Sequence, residues 1–442
     1  MNELKGKKVS AISLGCDKNR VDLEKMLFRL SDYGFSIVPD VNDADIVIIN
    51  TCAFIEPSRK EAIDNIFQIL LLKEQGKVEK VIVSGCLPQR YMKELKEEIK
   101  EVDAFLTLED DEKICDILEN LYNLPISKKK KTLGRILTNN SSYAYLKIAE
   151  GCSNGCSFCT IPRIKGGFRS APMEDLISEA KDIAEKGVKE LILVAQDVSR
   201  YGEDLYGENS LIPLLKKLTK IKGIEWIRLH YIYPEKINRE FLDYIYNEPK
   251  ICNYLDIPLQ HIDNKILTSM RRKLGEKETR ELISLIKTDY PKIALRSTFI
   301  VGYPGETKAD FKKLCDFLKE TKFDLAGFFP YFREENTASY YMDKQVSELT
   351  KKRRFKKVQK LQHEIVFEKA KGLLGQNFRV LVDSFDSSTG FFMGHTEFFS
   401  PRVDFGVEIN YNERVEVGNF VNVKFNSFDG ENFKGECYEF TK

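Results

Sequence analysis

The fold class this sequence predicts is α/β: an open parallel sheet, then a partial β/α barrel, then a small antiparallel β-barrel. Three observations carry that reading. Short β-branched runs alternate with amphipathic helical stretches from residue 7 to about 121 and again from 143 to about 335, and strands that alternate with helices form parallel sheets covered by those helices. From Gly375 onward the helical periodicity stops, and short strands separated by turn formers take over. At 442 residues the chain is also longer than one hydrophobic core sustains, so several domains are expected.

The elements follow in order. "KKVSAISLG", "ADIVIINT" and "EKVIVSG" read as strands, each followed by a helical stretch, and together they make an open, doubly wound domain over residues 6–122. Residues 123–142 contain four consecutive lysines and then polar turn formers without periodicity, which reads as a linker. Between 143 and about 335, "YAYLKIAE", "ELILVAQ", "EWIRLHY", "NYLDIPL", "IALRSTFIV" and "LAGFFPY" are six further strands with helical patterns between them. Six such units in about 190 residues fit a partial barrel, shorter than the ~250 residues of eight units, with its working end at the strand C-termini. A long charged helix, "QVSELTKKRRFKKVQKLQHEIVFEKAKGLLG", trails this domain to about residue 371, and 372–442 form the last domain.

Composition excludes several classes of function. With 42% hydrophobic and 31% charged residues the chain is an ordinary globular protein. No apolar run approaches the roughly 18 to 20 residues of a membrane span, and the N-terminus enters a strand pattern without a signal peptide. A cytoplasmic protein, monomeric and without membrane association, is expected. Ten cysteines in such a chain point to metal or redox chemistry rather than to disulfides.

The densest group lies in "EGCSNGCSFCTIPR", where Cys152, Cys156 and Cys159 follow the first barrel strand on a loop containing Gly151 and Gly155. Structural zinc takes four ligands, commonly as paired C-x-x-C knuckles, so three cysteines leave one position open. A 4Fe–4S cluster held by three thiolates would likewise keep one iron free for a small molecule. A second trio is spread out: Cys16, Cys52 and Cys86 each stand immediately after a predicted strand, 36 and 34 residues apart. In an open parallel sheet such strand ends share one crevice, so these three are expected to converge. Cys115, Cys252, Cys315 and Cys437 show no partner pattern, and packing accounts for them.

The C-x-x-x-C-x-x-C loop resembles the radical S-adenosylmethionine (SAM) superfamily, in which the cluster's open iron chelates SAM and the reduced cluster cleaves it to a 5′-deoxyadenosyl radical. That resemblance makes polar residues at other strand ends candidate SAM contacts: Gln196, Arg228, His230, Gln260, His261 and Arg296, with Gly302 and Gly305 letting backbone approach the adenine. With both trios and the three-domain order, nearly the whole chain resembles the methylthiotransferase family. Its architecture is an N-terminal methylthiotransferase domain, a radical SAM domain and a TRAM domain with an OB-like barrel. The resemblance implies two 4Fe–4S clusters, SAM as both methyl donor and radical source, and replacement of C–H by C–S–CH3, with the sulfur held on the second cluster.

Within that family "SLGCDKNRVDLE", "AQDVSRYGEDLY", "RLHYIYPEKI" and "FREENTAS" are more similar to the RimO-like branch than to the MiaB-like one, although Asp17 stands where the RimO pattern commonly has proline. The first branch modifies the β-carbon of an aspartate in small-subunit ribosomal protein twelve; the second modifies adenosine in transfer RNA. A zinc-containing nucleic-acid-binding protein is a remote alternative. The net charge of −5 over residues 372–442 suits docking of a basic ribosomal protein better than gripping phosphates. Against that stand "KKKK" and "KKRRFKK", which are candidate ribosomal RNA or transfer RNA contacts, and Phe391, Phe392, Phe398 and Phe399, which could stack on bases. The sulfur donor and the electron donor are not legible.

Overall fold

The computed structural model describes residues 4–125, 134–138, 142–410 and 413–440. They form two compact units, one made of the N-terminal residues to 138 with 151–153 and 159–167, the other of the remainder.

In the first unit the elements are β1 (Lys8–Ser13), α1 (Asp17–Tyr33), β2 (Ser36–Ile37), β3 (Ile46–Thr51), α2 (Glu56–Glu74), β4 (Lys80–Gly85), α3 (Cys86–Glu98), β5 (Ala104–Phe105), α4 (Ile114–Leu121) and the short α5 (Ile161–Ile164). The strands form a parallel sheet in the order β2-β1-β3-β4-β5. Strand β3, "IVIINT", is buried at every position, as a central strand with helices on both faces must be. Its alternation divides the core: Ile46 and Ile48 pack with Leu23, Met26 and Leu30 of α1, while Val47 and Ile49 pack with Ala62, Ile66 and Ile69 of α2. Truncating any of these isoleucines or leucines to alanine costs about 2–5 kcal/mol. Helix α1 stops at Gly34, whose φ of 118° lets its N–H turn back to the carbonyls of Leu30 and Ser31.

Part of the expected linker is not a free connection. Arg135 and Glu24 form a buried ion pair at 2.6 Å, and the Thr138 N–H and hydroxyl both donate to the same carboxylate. Residues 134–138 are thus bound along α1. The rest of that segment, including Lys128 to Lys131, lies outside the described residues.

The second unit contains β6 (Tyr143–Lys147), β7 (Ala149–Glu150), β8 (Arg169–Ser170), α6 (Met173–Glu185), β9 (Glu190–Val194), α7 (Leu211–Leu218), β10 (Trp226–Leu229), α8 (Arg239–Asn247), β11 (Tyr254–Gln260), α9 (Asn264–Ser269), α10 (Glu276–Asp289), β12 (Ala294–Val301), α11 (Lys308–Thr321), β13 (Leu325–Pro330) and α12 (Glu348–Leu373). The six expected barrel strands are present as two parallel three-stranded sheets, β6-β9-β10 and β11-β12-β13, with an isolated parallel bridge between Ile227 of β10 and Ile251, just before β11. The two-stranded β7–β8 ribbon is antiparallel and flanks the cysteine loop in sequence.

The last domain, β14 (Asn377–Asp386), β15 (Phe391–Thr396), β16 (Gly406–Asn410), β17 (Phe420–Phe428) and β18 (Asn432–Phe440), closes into a barrel in the order β14-β15-β16-β18-β17. It is not wholly antiparallel: β16 and β18 run parallel, because β17 crosses between them in the chain. Its phenylalanines fill it. Phe425 and Phe433 stack at 4.5 Å, Phe399 stacks on Phe433 at 5.5 Å, and Phe392 is buried, so these rings are core rather than base platforms. The same core takes in Trp226, Tyr254, Ala294 and Leu325, the first residues of β10 to β13, which seats this barrel on the N-terminal ends of the larger one. Among the described residues no helix is long and apolar enough to cross a membrane.

Candidate active site

Cys16 stands three residues past β1, Cys52 directly after β3, and Cys86 at the start of α3 directly after β4, so all three lie at the C-terminal ends of neighbouring strands. The approach is close: a Cβ on Gly15 would stand 2.9 Å from Cys52 Sγ, and Gly15, with φ of +84°, has none. Burial, and after it the neighbouring Cys16, push the Cys52 thiol up. Buried Asn19 links the strand ends. Its Nδ2 donates to the Thr51 carbonyl at 3.0 Å, its own carbonyl accepts from Asn50 Nδ2 at 2.7 Å, and its Oδ1 lies 3.8 Å from Cys86 Sγ. Sequence reading passed over Asn19, although it stands three residues after Cys16 in a motif already singled out.

The three-cysteine loop is held on both sides by backbone. Gly151 has φ of +73°, and a Cβ there would stand 2.1 Å from the Gly167 carbonyl oxygen, so only glycine fits. The Cys152 N–H donates to Gly166 O at 3.1 Å. Two of the sulfurs receive donors: the Ile161 N–H reaches Cys159 Sγ at 3.4 Å, and Arg272 Nη1 reaches Cys156 Sγ at 3.6 Å. Hydrogen bonds to the ligating sulfurs are one of the levers by which a protein tunes an iron–sulfur cluster. The Arg272 guanidinium is fixed by Pro258 O at 2.7 Å and lies over the Tyr233 ring. Nothing in "MRRKLG" marked it beforehand.

Thiols are the donors that iron–sulfur clusters take. All six cysteines are free thiols, and among the described residues no three His, Cys, Asp or Glu side chains stand close enough to share a single metal ion. In a four-iron cluster each thiolate binds a different iron, so its ligands spread more widely than those of one zinc.

Immediately after the loop, Thr160 Oγ1 donates to the carbonyl of Phe54, two residues past Cys52, at 3.3 Å, and buried Lys165 pairs with Asp22 of α1 at 3.4 Å. The chain that follows Cys159 is therefore packed beside the Cys52 strand end.

The expected SAM contacts divide by position. At the strand C-termini, Gln196 donates to Glu150 Oε1 at 3.4 Å while its own buried Oε1 has no hydrogen-bond partner among the described residues. Asn154, on the cysteine loop, donates to Asp197 at 2.8 Å and likewise keeps an unpartnered buried oxygen. Gln260 has φ of +72° at a register shift in β11, a conformation a non-glycine residue adopts at a cost. Burial pushes His261 down to about 4, so it is neutral, and its Nε2 also lacks a partner among the described residues. Gly305 is open where a side chain would be, whereas Gly302 has Lys351 Cγ 2.5 Å from its Cβ position. Glu306 accepts from the Gly302 N–H and, at 3.2 Å, from the Tyr303 N–H, and Arg354 pairs with it at 3.1 Å.

Arg228, Arg296 and His230 are engaged elsewhere, against the last domain. Arg228 pairs with Glu190 at 2.6 Å and donates to the carbonyls of Thr396 and Glu397. Arg296 bridges Asp256 at 3.0 Å and Asp404 at 3.1 Å, and His230 Nε2 meets Ser400 Oγ at 2.9 Å. Buried His395 joins Glu190 at 2.5 Å and Asp383 at 2.7 Å. Burial opposes the His395 charge, but Asp383 and Glu190 outweigh it and hold the imidazole at about 9.

Three family models match the chain: Uncharacterized protein family UPF0004 over residues 8–107, the Radical SAM superfamily over 146–318, and the TRAM domain over 374–437. The parallel barrel and its loop of three free cysteines thus define a radical SAM protein. Two solved structures share the fold. The radical S-adenosylmethionine methyltransferase TsrM from Kitasatospora setae superimposes with a TM-score of 0.55 at 12% identity, covering 73% of each chain. The cobalamin-dependent S-adenosylmethionine radical enzyme OxsB does so with a TM-score of 0.51 at 14% identity, covering 80% of this chain and 56% of that one. Curated relatives are far more similar. Ribosomal protein uS12 methylthiotransferase RimO of Elusimicrobium minutum is 44% identical over 97% of this chain and 99% of its own, and RimO of a Thermoanaerobacter species is 42% identical over 94% and 96%. The chain belongs to the RimO family of ribosomal protein uS12 methylthiotransferases.

Proposed function

We propose that this chain is a radical SAM enzyme that inserts a methylthio group at the β-carbon of an aspartate in ribosomal protein uS12. What supports this reading is the presence of two cysteine trios in one chain. Cys16, Cys52 and Cys86 occupy three adjacent strand ends, and the residue after Cys159 is bonded to the loop that leaves Cys52. When bound to these trios, two 4Fe–4S clusters would supply the one-electron chemistry that cleaves SAM and the sulfur that is inserted.

The chain's own residues have distinct tasks. Cys152, Cys156 and Cys159 hold one cluster, with Arg272 donating to the Cys156 sulfur and the Ile161 N–H to the Cys159 sulfur. Asn19 and Gly15 keep the second trio's strand ends in contact. For SAM, Gln196, Asn154, Gln260 and His261 offer unpartnered or strained groups at the strand C-termini, with Gly305 leaving room for the adenine, and Gly302 is positioned by Lys351 and Glu306. Arg228 and Arg296 instead secure the last domain, so SAM contact rests with the former group. Holding both trios near one substrate carbon is the protein's main contribution to rate.

Docking of uS12 is assigned to the acidic face of the last domain. Asp383, Glu397 and Asp404 are committed inward to His395, Asn253 and Arg296, which leaves exposed Glu413, Glu416, Glu431 and Glu436 to present the charge. The enzyme works as a monomer in the cytoplasm on this reading. The test is to incubate the reconstituted protein, with SAM and a reductant, with isolated uS12 and separately with transfer RNA, and to weigh both. A methylthio mass gain on uS12 supports the reading; a gain on transfer RNA alone overturns it in favour of the adenosine-modifying branch.

A further inference from the structure

The run "KKRRFKK" and the lysine that follows it divide between two faces of α12. Lys351 and Arg354 turn inward, the first against Gly302 and over the Tyr331 ring, the second onto Glu306, and both are buried. Lys352, Arg353, Lys356, Lys357 and Lys360 face outward and are exposed. Among the described residues none of these five forms an ion pair; Lys357 alone leans toward α11, over the Phe311 ring and in the field of Asp316. Several surface cations of α9, α10 and α11 are paired instead: Lys265 with Asp310, Arg280 with Glu276 and Glu320, Lys313 with Asp263 and Glu276.

The pattern is not a solution to helix stability. Between Glu348 and Glu364 the helix carries no acidic residue, and the pairs 352/356, 353/357 and 356/360 place like charges four apart, which destabilises a helix. A helix rise of ~1.5 Å per residue sets Lys352, Lys356 and Lys360 about 6 Å apart over about 12 Å, a regular row of cations flanked by an arginine fork. A regular row suits a regularly repeating anion better than the irregular carboxylates of a protein face. Lys360 also opens onto a cavity of about 730 Å³ that His363 and Phe405 help to line, so the row runs into a recess.

We propose that the outward face of α12 docks the phosphate backbone of ribosomal RNA, so that the enzyme engages the RNA-bearing particle that carries its substrate. The assignment of ribosomal RNA rests on the reading that the substrate is a ribosomal protein; the phosphate-binding face itself does not. It also gives the two charged surfaces different partners: the acidic last domain meets protein, and α12 meets RNA.

The experiment compares the reconstituted full-length protein with its Lys352→Gln/Lys356→Gln/Lys360→Gln variant. Binding to a fluorescein-labelled 20-base-pair RNA duplex and to small ribosomal subunits is followed between 50 and 200 mM KCl. With about 0.9 counterions released per neutralised phosphate, five contacts predict a loss of roughly 500-fold in affinity over that range, and the two contacts left in the variant roughly 10-fold. The variant should bind both probes at least 10-fold more weakly at 100 mM salt, while methylthiolation of isolated uS12 is unchanged. Equal affinity and equal salt dependence of the two proteins would overturn the proposal. So would a variant that loses activity on isolated uS12 while binding RNA normally, which would make the row a protein contact. If the wild type binds RNA as described but modifies no uS12, the proposed function fails and the phosphate-binding face stands.

Discussion

His395 offers the most quantitative prediction, because its environment is closed. It is 1% exposed, lies between Glu190 and Asp383, and shares Glu190 with Arg228. Holding the imidazole at about 9 instead of 6.5 corresponds to ~3 kcal/mol in favour of the folded protonated form. Because the folded value is raised, the contribution is complete below pH 6.5 and is lost as pH rises through about 9. The chain's single tryptophan, Trp226, lies 5.9 Å from the His395 ring and 4.7 Å from Phe420, so its fluorescence reports this interface directly. Urea unfolding of wild type and His395→Gln should differ by ~3 kcal/mol at pH 6 and by almost nothing at pH 10 in the transition that Trp226 reports. A difference that stays constant between those pH values would refute the assignment of a buried imidazolium.

Three further outcomes follow from the same contacts. Glu24→Ala removes the buried carboxylate that Arg135 and Thr138 share and should cost about 3–5 kcal/mol, read as a lower denaturation midpoint of the N-terminal unit. Gly151→Ala forces a Cβ onto the Gly167 carbonyl, so the loop cannot keep its conformation and the reconstituted protein should lose about half its iron; full iron content would show that the loop tolerates a side chain. Wild type should hold about eight irons, and Cys86→Ala about four, by colorimetric iron assay.

The strand–helix alternation was legible because parallel strands buried on both faces read as continuous apolar runs, as in "IVIIN" of β3, and in the first domain β1, β3 and β4 are each followed closely by a cysteine. The placement of Cys16, Cys52 and Cys86 at the ends of neighbouring strands followed from that topology alone. The roles of Arg228 and Arg296 did not. Periodicity places a residue on a strand but does not say toward which end a long side chain extends, and both reach back to a domain that begins about 150 and 80 residues later. Asn19 and Arg272 escaped notice for a related reason: their partners are a thiol and carbonyls from distant segments, and no local pattern encodes such contacts. The basic run was visible as charge, but only the helix geometry separates inward Lys351 and Arg354 from the outward row.

The central claim is a division of labour, in which Cys152, Cys156 and Cys159 serve SAM cleavage while Cys16, Cys52 and Cys86 serve sulfur insertion. The most direct measurement follows 5′-deoxyadenosine and methylthiolated uS12 together, by liquid chromatography and mass spectrometry, in wild type and Cys52→Ala. The account predicts that Cys52→Ala still forms 5′-deoxyadenosine and yields no methylthiolated uS12. Methylthiolated product at wild-type levels from Cys52→Ala would contradict it.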